Sequence, residues 1–118
     1  MIASKEDRRF PRTRSQVSLR YEALPVAGKG FVDAHLEDLS PEGLRFQCRD
    51  EVGVRSGILL ELQIPDTQPV HFVGRAVWVR ELQDHTGFEV GGMFEDQNSR
   101  GRTAVERFLQ HDAFSSGL

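Results

Sequence analysis

The sequence has few of the residues that most often carry covalent chemistry. Its single cysteine, Cys48, excludes an internal disulfide framework and any thiolate cluster around a metal, and it fits a reducing compartment. No apolar run approaches the roughly 18 residues of a membrane-spanning helix. Residues 1–10 carry charges in place of the ~7–15-residue apolar stretch of a secretory signal, so the chain is expected in the cytoplasm. There is no G-x-S-x-G, no H-E-x-x-H and no phosphate-binding loop, and Gly28-Lys29-Gly30 lacks the further glycines of a dinucleotide fingerprint. His35, His71, His85 and His111 fall in separate segments without i,i+4 pairing or cysteine neighbours, so they read as solvated or turn residues and not as metal ligands. Cys48 ends a strand-like stretch with no basic pair at a helix start beside it, which suits a small buried hydrophobe better than a nucleophile. Lacking an acid, base or nucleophile pair, the chain is read as a non-enzyme with no cofactor and no metal. Aromatic residues other than Phe are limited to Trp78 and Tyr21, too few to interleave with basic residues as a single-stranded nucleic-acid surface requires.

What is present fits one domain. The chain has 118 residues, within the usual size of a single hydrophobic core, and its 38% hydrophobic and 28% charged residues are those of a globular protein. Charge is unevenly spread. Residues 1–20 hold Lys5, Arg8, Arg9, Arg12, Arg14 and Arg20 against Glu6 and Asp7, a net +4, and the remaining 98 residues carry −7. A basic arm on an acidic body suits a small anionic ligand better than a duplex, and no DNA or RNA partner is expected.

Glycine and proline punctuate six strand-like stretches, residues 17–21, 31–39, 44–48, 58–64, 70–81 and 88–94, a spacing that predicts an all-β barrel or sandwich. In the fourth, Leu60, Leu62 and Ile64 share one face and Glu61 and Gln63 the other, as in a strand with one wet side. In the fifth, Ala76 and Trp78 alternate with Val77 and Val79, which predicts the longest and most buried strand. Asp84 to Gly87 supplies the turn into the sixth. The period then changes: Ala104, Val105, Phe108 and Leu109 form one helical stripe, Asn98 or Ser99 offers a cap, and Gly101 weakens the helix by up to ~1 kcal/mol relative to alanine. The domain plan is a basic arm at 1–15, a barrel with a short C-terminal helix at 16–111, and a tail at 112–118.

Two segments stand out. In Arg8-Arg9-Phe10-Pro11-Arg12, Pro11 holds the backbone extended, so the guanidiniums hang from a stiff arm. They serve solubility or they bind a ligand, since arginine can fork onto phosphate, pair with guanine O6 and N7, or stack on a base. In Asp38-Leu39-Ser40-Pro41-Glu42-Gly43, Ser at i, Pro at i+1 and Gly at i+3 describe a type I turn, and local physics requires nothing more. Yet Asp38 shares strand parity with Val32, Ala34 and Leu36, which places a carboxylate in the apolar register where it must find a donor. A guanine edge offers two, N1–H and N2–H. Ser40 adds a hydroxyl, and Gly43 lets a ligand approach the backbone.

Taken together the two segments resemble the PilZ domain family, bacterial receptors for the cyclic dinucleotide c-di-GMP, whose pattern is R-x-x-x-R in an N-terminal arm followed downstream by D/N-x-S-x-x-G. Here these are Arg8 to Arg12 and Asp38 to Gly43. The resemblance continues through Gly43-Leu44-Arg45, Gly57-Ile58-Leu59-Leu60, Gly74-Arg75-Ala76-Val77 and Val90-Gly91-Gly92-Met93-Phe94, and it covers residues 6–109. One departure is Asp7, which sets a carboxylate beside the arginine motif. The resemblance implies a six-stranded antiparallel β-barrel with a flexible N-terminal arm and a C-terminal helix. It implies a c-di-GMP sensor in which Arg8 and Arg12, with Arg9 and Arg45 in support, take phosphates and guanine, Asp38 and Ser40 take the other guanine, and Gly43 gives clearance. On this reading the ligand bridges arm and barrel and changes the surface shown to a downstream protein partner. The alternative is an interaction adaptor of the same fold whose contact does not depend on nucleotide.

Overall fold

A computed structural model describes residues 17–24, 30–96 and 98–116, the last six of them as backbone alone. Among the described residues six strands follow one another: β1 (Ser18–Ala23), β2 (Val32–Ser40), β3 (Gly43–Cys48), β4 (Gly57–Gln63), β5 (Val70–Glu81) and β6 (Phe88–Phe94). They close a barrel in the order β1-β2-β3-β6-β5-β4, with every pairing antiparallel. Closure leaves no unpaired edge among the described strands. One helix, α1 (Ser99–Ser116), follows β6 and packs against β5 and β2.

Period-2 alternation determines which side chains fill the interior. Leu19 and Tyr21 of β1, Phe46 of β3, Ile58, Leu60 and Leu62 of β4, Phe72 and Ala76 of β5, and Val90 of β6 are all buried. Burying each large apolar side chain is worth about 1.5–3 kcal/mol. Phe72 and Phe94 stack with centroids 3.9 Å apart where β5 meets β6. Cys48 joins this core, its thiol directed at the Asp50 carbonyl oxygen 3.3 Å away.

The helix start is cross-braced. Asn98 accepts the Gly101 N–H on Oδ1 at 2.9 Å, the bond of an N-cap, and its Nδ2 donates to the His71 carbonyl oxygen of β5 at 2.5 Å. The glycine that lowers helix propensity therefore lies where the first turn crosses Phe72. The helix continues to Ser116, into the segment that the sequence sets aside as a tail.

Two strands depart from simple alternation. The β2–β3 register shifts between Leu36 and Asp38, and the β5–β6 register shifts between Ala76 and Trp78. The expectation that β5 is the most buried strand fails for this reason and because a barrel has no second layer outside it. β5 is the longest strand, but Val73, Val77 and Trp78 are exposed on its outer face.

Candidate functional site

The first bulge re-aims Asp38. Without it, Asp38 would follow Leu36 inward, the apolar register expected from strand parity. The extra residue at Glu37 returns Leu39 to the core and turns Asp38 outward, exposed. One Asp38 oxygen accepts the Leu39 N–H at 3.1 Å, and the other has no partner among the described residues. The desolvated carboxylate inferred from sequence is thus a solvated one, held open at the strand end.

Ser40 and Gly43 pair across the hairpin turn, with Pro41 and Glu42 at its tip. The Ser40 hydroxyl accepts the Glu42 and Gly43 N–H groups at 3.3 and 3.2 Å and faces the Gly43 carbonyl oxygen at 3.3 Å, so it is spent on the turn. The Glu42 carbonyl oxygen accepts the Phe94 N–H at 2.9 Å and ties the turn to β6. Gly43 is required by packing as well, because a Cβ there would stand 2.2 Å from the Gly92 carbonyl oxygen.

Asp38 pairs in register with Arg45, Arg45 with Gly91, and Gly91 with Trp78, so one row on the outer wall crosses β2, β3, β6 and β5. Gly91 makes room for the indole: a Cβ would come 2.2 Å from Trp78 Nε1. The indole covers this gap in the row and stays 39% exposed. Beside it, Glu89 is buried at 3% exposure with both oxygens paired. Its Oε2 accepts from Arg45 Nη1 at 2.8 Å, and its Oε1 from Arg80 Nε and Nη2 at 3.0 and 2.5 Å.

The row from Asp38 to Trp78 borders an open concavity of about 330 Å³, lined among others by Asp38, Ser40, Gly43, Arg45, Val77, Trp78 and Met93. That volume lies at the small end of the ~300–1,000 Å³ range of ligand pockets. Its chemistry is a free carboxylate acceptor, a guanidinium and an indole face, which together suit a flat heterocycle carrying N–H donors and an anionic substituent. The structure brings Asp38, Ser40, Gly43 and Arg45 together on this rim. Arg8, Arg9 and Arg12 lie outside the described residues.

Sequence reasoning missed Trp78 and Glu89. The signal for the first was the Gly91-Gly92 pair inside an apolar strand, which marks close approach of another group. Glu89 gave no such signal, since its partners lie 44 and 9 residues away. No group of ligating side chains capable of holding a metal ion occurs among the described residues, where His35, His71 and His85 are all exposed. Burial pushes the Cys48 thiol up, and the Tyr21 phenol well above its ordinary range, which favours the protonated form of each. No helix among the described residues is long and apolar enough to cross a membrane.

No curated protein gives a significant match to the chain. A family model for the PilZ domain matches residues 6–111, which takes in the arginine motif, all six strands, the hairpin turn and the first part of α1. The closed six-stranded barrel with one C-terminal helix agrees with that family's fold, and the family in general binds c-di-GMP and acts by binding and adapting rather than by catalysis. Fold, motif order and the span of the match converge: this chain belongs to the PilZ domain family.

Proposed function

We propose that the chain is a c-di-GMP receptor whose ligand seats one guanine in the concavity between the β2–β3 turn and Trp78. The observation that supports this most is Asp38, a carboxylate turned out by a bulge onto the rim of that concavity with one oxygen unspent. In the proposed complex Asp38 accepts guanine N1–H and N2–H, the indole of Trp78 stacks on the base, and Arg45 meets a phosphate or the O6 and N7 edge. Ser40 and Gly43 shape the turn that presents Asp38. A concavity of about 330 Å³ suits a nucleobase better than a whole dinucleotide. The rest of the ligand therefore lies over the rim, where Arg8, Arg9 and Arg12 supply the charge that its phosphates require. The arm orders on the ligand, and a protein partner reads the changed surface.

Calorimetry on the full chain tests the reading, with c-di-GMP compared against GMP and cyclic AMP. Selective binding of c-di-GMP is expected, together with slowed amide exchange over residues 7–15 at saturation. Absence of c-di-GMP binding overturns it in favour of a nucleotide-independent adaptor.

A further inference from the structure

We infer that Glu89 is a positioning residue that keeps Arg45 away from Asp38, so that both remain open to the ligand. The inference rests on the proposed site and adds a residue outside the two sequence motifs. Glu89 is the one buried charged residue among those described, and a buried carboxylate must be paired. Arg80 meets half of that need, since its Nε and Nη2 both donate to Oε1. The other oxygen, Oε2, draws in a second guanidinium through a single nitrogen, Arg45 Nη1 at 2.8 Å. Its remaining donors have no partner among the described residues, and the side chain is 41% exposed.

Asp38 is the cross-strand partner of Arg45 in the β2–β3 register, and opposite charges in that relation ordinarily pair. They do not pair here, because Arg45 reaches across to β6, where its Nη1 lies 2.8 Å from Glu89 Oε2. Without the Glu89 charge, the nearest carboxylate in register is Asp38. An Arg45–Asp38 pair would consume the guanine acceptor and the free guanidinium in one contact. Glu89 thus acts through Arg45, and its effect on binding should exist only while Arg45 is present.

The test is a double-mutant cycle on the full chain, with c-di-GMP affinity and melting temperature measured for Glu89→Gln, Arg45→Gln, the double variant and Arg80→Gln. Glu89→Gln should weaken binding about tenfold, Arg45→Gln by a similar factor, and the double variant by less than about twofold more than Arg45→Gln alone. Arg80→Gln, which leaves the Glu89–Arg45 bond intact, should bind within about twofold of wild type. A purely structural Glu89 would give losses that follow melting temperature and multiply in the double variant, and that result overturns the inference. So does a Glu89→Gln protein that binds as wild type. If Glu89→Gln does not melt cooperatively, Glu89→Asp carries the test: it keeps the charge but draws the carboxylate back from Arg45 by one methylene, and wild-type affinity in the folded Glu89→Asp protein overturns the inference. Failure of wild type to bind c-di-GMP removes the proposed function itself, and this inference with it.

Discussion

Two rows of side chains on the outside of the same barrel behave differently. On the β1, β4 and β5 wall, Arg20, Glu61 and His71 are register neighbours, with Glu61 3.2 Å from each of the other two. Arg20 also lies 5.6 Å from the centre of the Phe31 ring. That row is closed on itself. On the β2, β3, β6 and β5 wall, Asp38 and Arg45 are register neighbours with opposite charges, yet they do not pair, and the row continues through a glycine to an exposed indole. Both rows obey the same pleat and twist. The difference lies in two bulges, which turn Asp38 and Trp78 outward, in Gly91, which makes room for the indole, and in Glu89, which takes up Arg45. An ion pair satisfied across strands is a surface detail worth ~0–1 kcal/mol. A carboxylate, a guanidinium and an aromatic face left open together form a site.

The comparison breaks most completely if the open row is filled. Gly91→Val places a side chain where Trp78 Nε1 would be 2.2 Å from its Cβ, so the indole must leave. The expected loss is ~1–3 kcal/mol of ligand affinity from stacking, with ~1–3 kcal/mol of stability from overpacking, read by calorimetry and thermal melting. Asp38→Ala comes next and should separate the two quantities: affinity falls by ~1.5–3 kcal/mol, the range of a charge-assisted hydrogen bond, while the melting temperature barely moves because the carboxylate is already exposed. Ser40→Ala should do the reverse. Its hydroxyl is committed to the Glu42 and Gly43 N–H groups, so stability falls by ~0.5–1.5 kcal/mol and affinity changes little once the protein is folded. The smallest effect belongs to the closed row, where Glu61→Gln should change stability by no more than ~1 kcal/mol and leave c-di-GMP affinity untouched. A loss of affinity in Glu61→Gln equal to that in Asp38→Ala would erase the distinction between the walls.

Much of the barrel was legible because its signals are local. Leu60, Leu62 and Ile64 announced a strand with one wet face, and all three are buried while Gln63 is exposed. Asn98 and Ser99 were both candidates for the helix cap, and Asn98 takes the role. The hairpin Ser40-Pro41-Glu42-Gly43 could be read from turn chemistry alone, and it folds as a tight turn whose serine is occupied internally. Parity counting failed at Asp38, which follows Leu36 in parity, and again at Trp78, which follows Ala76. Each time a bulge, which adds a residue without any mark in composition, shifted the register by one and exchanged the two faces.

By itself the sequence determined that six strand-like stretches are followed by a helix, that a serine turn joins two strands, and that two separated motifs share the order of the PilZ pattern. Those features rest on period, turn residues and spacing, which act over a few neighbouring residues. Only the tertiary structure decided that Asp38 faces outward, that Gly43 and Gly91 are required by contacts with other strands, that Trp78 lies on the wall, and that one buried carboxylate holds Arg45 and Arg80 together. The physical reason is distance along the chain. Barrel closure sets Asp38, Arg45, Gly91 and Trp78 side by side through three separate strand pairings, and no local propensity encodes how those registers add.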